Sequence, residues 1–267
     1  MSIWDFLQGW ILKPESWSKK TPREELSSKR WTPQVLGLSG VTDCYQPVER
    51  KWKLTQQCLE VLEEFLNPVV IITKNYLVTR DIDILQRMAE HKACAVFISV
   101  TTLDPNLSRV MEPRAVQPLR RLEAIRVLSQ NGIPVGVNVA PVIPGLTEHE
   151  LPAIVQAAVN AGAQFAGYVP LRLPYAVARL FQEWLSQHFP DRKEKILNRI
   201  RSMRCGQLND PNFNSRMAGE GIFADQIAAL FVLACRKAGI KQDGPYLSLE
   251  SFRRVLGTIQ MELFQNE

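Results

Sequence analysis

VLGLS from Val35, VVIIT from Val69, AVFISV from Ala95, VGVNVA from Val135 and FAGYVPL from Phe165 decide how this chain folds. Each run is rich in apolar and β-branched residues and reads as a strand buried on both faces. Their starts lie 34, 26, 40 and 30 residues apart, the interval that one strand and one crossover helix occupy. The segments between them have helical periodicity. Leu54, Cys58, Val61, Leu62 and Phe65 share one face that stops at Asn67-Pro68, where the proline disfavours helix in the residue before it. Leu85, Met88 and Ala89 offer a second apolar face. A third helix starts near Pro118, buries Leu122, Ile125 and Leu128, and ends at Asn131-Gly132, proline at the start and glycine past the end being the usual asymmetry. For the fourth, Thr147 and Glu150 have capping-box spacing while Pro152 marks a start one turn later; Gly162 closes it.

Strands of this kind imply a parallel sheet with right-handed crossovers, either doubly wound or closed towards a barrel. The barrel is favoured because polar residues stand where each strand should end: Thr42 and Asp43, then Thr73, Lys74 and Asn75, then Thr101 and Thr102, then Arg172. Barrel enzymes assemble their chemistry from the carboxyl ends of several strands, although ordinary loop polarity would produce the same pattern. The expected class is α/β, a partial (βα) TIM-like barrel of parallel strands whose first strand is largely missing. After Pro174 the strand signal stops. Helices are expected from roughly Tyr175 to His188, Arg192 to Met203, Ala224 to Ala238 and Leu249 to Leu263, with an irregular stretch from Cys205 to Gly221 beside the barrel mouth. The chain thus divides into a residual N-terminal segment (1–31), the partial barrel (32–174) and a helical extension (175–267).

Composition narrows the function classes. Of 267 residues 46% are hydrophobic and 22% charged, an ordinary globular balance. Lysine and arginine outnumber aspartate and glutamate by 32 to 27, and the resulting pI near 9.0 permits contact with nucleic acid without demanding it. The longest apolar runs reach only about seven residues, against the roughly 18 that a membrane span needs, so no membrane partner is expected and a cytoplasmic location is. Cys44, Cys58, Cys94, Cys205 and Cys235 are few and widely spaced, as in a reduced intracellular protein. His91, His149 and His188 stand apart without metal-ligand spacing.

Four stretches in order carry a family resemblance: SGVTDCYQPVE from Ser39, IITKN from Ile71, ISVTTLD from Ile98 with MEPRA from Met111, and GIPVGVNVAPVIPGLT from Gly132; LRLP at Leu171 and NRIRSMR at Asn198 agree with them. Together they resemble a bacterial radical S-adenosylmethionine (radical SAM) subfamily related to spore photoproduct lyase and described as DNA repair photolyase-like. The resemblance implies a partial barrel that binds S-adenosylmethionine across its strand ends. Ser39, Gly40 and Thr42 would take up the methionine ammonium, with Asp43 beside them as a further cofactor-binding candidate. Ser99, Thr101 and Thr102 would lie near ribose and carboxylate, with Glu112 and Arg114 as salt-bridging partners. Val142 and Ile143, in the stretch Val139 to Gly145, would pack along adenine, and Asn138, Lys74 and Arg172 are further cofactor-binding candidates at the strand ends. Catalytic candidates are Cys44, Tyr45 and Lys74. Cys44 reads more readily as an inert small hydrophobe, and Asp43 fits a turn residue as well as a site.

One part of the pattern is missing. Family chemistry needs three cysteine thiolates in a CxxxCxxC-like loop to hold a [4Fe–4S] cluster, and the nearest pair here, Cys44 and Cys58, is 14 positions apart. The chain therefore offers no metal ligands of its own and reads as N-terminally truncated: a late start, a remnant, or a protein whose cluster comes from a separate chain. Two functions follow from the resemblance: radical chemistry on an unknown substrate, a nucleic-acid lesion being one candidate, or a non-catalytic module or inactive remnant binding S-adenosylmethionine or a partner. A barrel lacking its first strand exposes a sheet edge that invites a partner chain or self-association. The pattern Trp4, Leu7, Ile11 fits either a cover for that edge or an ordinary frayed terminus.

Overall fold

The computed structural model describes residues 22–38, 42–210 and 215–255. Five parallel strands form one sheet in the order β1-β2-β3-β4-β5: Leu36–Leu38, Val69–Thr73, Cys94–Val100, Val135–Val142 and Phe165–Pro170. All five expected strands are present. Spatial order equals chain order, so every crossover advances in one direction and, being right-handed, lays its helix on the same side. A doubly wound sheet would reverse direction part-way. The result is an open half-barrel with helices outside and a concave face within.

The four crossover helices and the first three C-terminal helices follow the sequence, and helices at Pro22–Ser27 and Pro105–Met111 add to them. They are α1 (Pro22–Ser27), α2 (Leu54–Phe65), α3 (Ile82–Glu90), α4 (Pro105–Met111), α5 (Pro118–Gln130) and α6 (Leu151–Asn160), then α7 (Ala176–His188), α8 (Lys193–Ser202) and α9 (Ile222–Ala238). The fourth crossover helix starts at Leu151 with proline in its first turn. Its capping box does not form, because the Thr147 hydroxyl accepts from the Ile143 amide and the Glu150 carboxylate reaches back to Thr102 and Leu103.

Alternation along the strands sorts side chains between two faces. Val69, Ile71, Val96, Ile98, Val135 and Val137 pack outward against Leu59, Leu62, Leu85, Met88, Ile125 and Leu128. Val35, Val70, Ala95, Phe97 and Phe165 point inward and form a separate small core with Leu247. A third cluster joins Leu107, Ile143, Leu146 and Leu173, all just past a strand end, to Leu185, Ile196 and Ile200 of α7 and α8. These two helices therefore sit on the carboxyl rim. Helix α9 returns to the outer wall, where Phe231 meets Tyr168 of β5 with ring centroids 4.7 Å apart.

In the described part of the helix expected at Leu249–Leu263, residues 249–255, the chain is not helical, and 256–267 lie outside the described residues. The segment instead straps the amino-terminal ends of the strands. The Lys241 carbonyl accepts from Ala166 beside β5, Ser248 N–H donates to Lys92 before β3, and Arg253 N–H donates to Phe65 before β2. The Arg254 guanidinium then reaches the carbonyls of Leu26, Ser28 and Trp31. Backbone donors committed across the barrel floor cannot close an i to i−4 ladder, which is why apolar spacing alone does not make this stretch helical. Among the described residues no helix is long and apolar enough to cross a membrane.

Candidate functional site at the carboxyl rim

On the concave face the side chains change from apolar to polar towards the strand ends. Register places Ile72 beside Phe97, Phe97 beside Gly136 and Gly136 beside Phe165 in one layer. The Phe97 and Phe165 rings meet edge to face at 4.7 Å. They close the floor over a backbone that carries no Cβ at position 136. One step higher, Ser99 pairs with Asn138 and Asn138 with Gly167. Asn138 is 8% exposed, and its side chain makes no hydrogen bond with any described residue. Its amide atoms are not among the sealed, unpartnered ones, so they stay open to a donor or acceptor on the concave face.

Above this layer lies a knot of charge. The Glu112 carboxylate, which follows α4, accepts from Lys74 Nζ at the end of β2, from Thr101 Oγ1 at 3.1 Å and from Arg121 Nη2 at 2.6 Å. Arg121 is 1% exposed. Its other donors hold the carbonyls of Val116 at 2.8 Å and Ser99 at 3.2 Å. The Thr101 hydroxyl also lies 2.9 Å from the Ala140 carbonyl, which links β3 to β4. Lys74 keeps 31% of its side chain exposed, so one cation of the knot faces the mouth.

Burial alone would push the Glu112 carboxyl up; Lys74 and Arg121 outweigh it and hold it below the usual carboxylate range. The sign of the consequence follows from linkage. A depressed folded-state value adds stability that is fully present above the unfolded value of about 4.3 and disappears as pH falls through the folded one. Urea midpoints measured between pH 7 and pH 3 are expected to drop less steeply in Glu112→Gln than in the parent chain. An unchanged acid slope would count against the knot.

The other candidates are distributed as follows. Asp43 spends both carboxylate oxygens on the scaffold, accepting from the Tyr45 amide, the Thr73 hydroxyl and the Lys74 amide. Tyr45 is fully buried and donates to Asp81 at 2.9 Å. Burial pushes both the Cys44 thiol and the Tyr45 phenol up, so neither supplies an anion. Thr102 is 1% exposed and donates to Glu150 at 2.6 Å, tying β3 to α6. Val142 packs in the outer-wall core and Ile143 in the rim cluster. Arg114 and Thr42 are exposed. Arg172 reaches Met217 Sδ at 3.3 Å. Ser39, Gly40 and the Trp4, Leu7, Ile11 pattern lie outside the described residues. The rim therefore gathers Lys74, Ser99, Thr101, Glu112 and Asn138, and leaves Cys44, Tyr45, Asp43, Thr102, Val142 and Ile143 inside the scaffold.

Arg121 escaped the sequence reading although a signal existed: it lies four positions before Ile125 and seven before Leu128, in the apolar stripe itself.

Comparison with known proteins bears directly on this half-barrel. The Radical SAM superfamily model matches residues 19–158, more than half of the chain. The chain belongs to the radical SAM superfamily. An uncharacterized protein of Mycobacterium tuberculosis is 28% identical over 198 residues, covering 73% of this chain and 57% of its own. One from Methanocaldococcus jannaschii is 27% identical over 163 residues, or 61% and 59% of the two chains. The protein ORF301 of Acidianus two-tailed virus is 34% identical over 141 residues, or 51% and 43%. The chain spans about half the length of these curated relatives.

Radical SAM proteins use S-adenosylmethionine with an iron–sulfur cluster, and the thiols here do not fit a cluster. Cys44 follows β1, Cys58 is on α2, Cys94 opens β3 and donates to the Leu85 carbonyl, Cys205 follows α8 and Cys235 is on α9. Burial raises Cys94 to about 12 and Cys235 to about 11. Among the described residues no three His, Cys, Asp or Glu side chains gather as a metal site.

Proposed function

We propose that this half-barrel is the S-adenosylmethionine-binding wall of a radical SAM enzyme. The observation that carries the reading is the pairing of a mostly buried amide with no hydrogen-bond partner among the described residues, Asn138, with an ordered cation, Lys74, on one concave face. A sulfonium nucleoside presents what these groups want. Its carboxylate meets Lys74, whose ammonium Glu112 orients. Its ribose hydroxyls or adenine edge give Asn138 and Ser99 partners that the protein does not provide. The apolar floor of Phe97 and Phe165 keeps water from below. No step is assigned to a cluster, since the thiols do not fit one.

Two finer readings belong to the same proposal. Kinship with spore photoproduct lyase rests on the motifs quoted above. A nucleic-acid substrate is supported by the basic balance and by Arg109, Arg114 and Arg120, exposed after β3, where phosphates would approach the mouth.

Anaerobic calorimetric titration of S-adenosylmethionine into the intact chain tests the reading. Binding is expected, weakened at least tenfold (about 1.4 kcal/mol) by Asn138→Ala and by Lys74→Ala. Absence of heat, or variants that bind as the parent does, would overturn it.

A further inference from the structure

Among the described residues β1 is hydrogen-bonded on one side only, and the surface beside its open edge is apolar. Pro22 and Leu26 of α1, Leu36 and Leu38 of β1, and Cys58 and Leu62 of α2 line a cleft there. The stripe continues along α2 to Leu54, one turn before Cys58, and on to Trp52; these two are 56% and 58% exposed. An unpaired parallel edge flanked by apolar side chains is a template for association.

We propose that residues 3–12 of the same chain cover this cleft and the β1 edge. Three observations favour that occupant. The segment IWDFLQGWIL holds Ile3, Trp4, Phe6, Leu7, Trp10, Ile11 and Leu12, seven apolar residues in ten. It is tethered at the cleft itself, because the chain outside the described residues ends at Thr21 and Pro22 lines the cleft. The nine residues between Leu12 and Pro22 can span up to about 30 Å, more than the roughly 18 Å length of α2, so the tether reaches every part of the stripe. A tether this short raises the local concentration to the millimolar range, which favours this segment over a second copy. The segment thereby stands where a preceding barrel strand would shield β1.

The chain carries its own reporters. Cys58 lines the cleft, Cys205 is exposed after α8, and Cys94 is buried in the core. Maleimide labelling followed by peptide mass spectrometry is expected to show Cys58 protected in the intact chain. In the triple variant Trp4→Asp, Leu7→Asp, Ile11→Asp its labelling should speed up at least tenfold, with Cys205 unchanged and Cys94 unlabelled. Equal Cys58 rates in the two proteins overturn the proposal. Should Cys94 become labelled, the variant has lost its fold, and Leu7→Cys in the otherwise natural chain decides instead. On treatment with a mild thiol oxidant, a disulfide between the introduced thiol and Cys58 within a monomer supports the proposal. A disulfide-linked dimer, or none, overturns it.

Discussion

Replacing Arg121 by methionine is expected to destabilise the protein by about 3–5 kcal/mol, the range for breaking a buried ion pair by removing one partner. The guanidinium is 1% exposed and serves three acceptors at once: Glu112, the Ser99 carbonyl and the Val116 carbonyl. Methionine fills much of the volume but supplies no donor, so two carbonyls and half of a carboxylate lose their partners in a region that water does not reach. Urea denaturation should show a lower midpoint with an unchanged slope. Arg121→Lys should recover only part of the loss, since a point charge on a flexible stem cannot fork to three acceptors. A loss below about 1 kcal/mol, the scale of exposed pairs, would mean that the knot is solvated.

Gly136→Ala is the second large effect, expected at about 3 kcal/mol, the upper end of ordinary overpacking. A Cβ at that position would fall 2.0 and 2.2 Å from ring carbons of Phe165 and 2.4 Å from its carbonyl oxygen. The ring can swing away, but the backbone cannot without parting β4 from β5 where Gly136 and Phe165 are in register. The double variant Gly136→Ala, Phe165→Ala separates the two contributions. Because the carbonyl clash survives, it should remain clearly less stable than Phe165→Ala alone. Equal stability would assign the whole cost to the ring and leave the ladder unstrained.

How legible was this protein? The wall was written plainly: strands buried on both faces with helices every 26–40 residues leave few topologies once crossovers must be right-handed. Lys74 and Thr101 were also within reach, because a polar residue just past an apolar strand lands on a barrel rim. Asp43 and Thr102 share that position yet turn into the scaffold. Whether such a side chain faces the mouth depends on partners far away in sequence: Thr73 for Asp43, Glu150 for Thr102. The part of the expected Leu249–Leu263 helix that is described, 249–255, is not helical for the same reason, since carbonyls of Lys92 and Phe65 hold the Ser248 and Arg253 donors.

By itself the sequence determined the number of the strands, their parallel helix-connected character and the lack of a cysteine triplet, because local periodicity and residue identity suffice for each. Only the tertiary structure decided that Arg121 is interior, that position 136 has no room for a methyl group, and that the last described residues strap the barrel floor. Those three depend on contacts between residues distant in the chain, whose free energy no window of neighbouring residues contains.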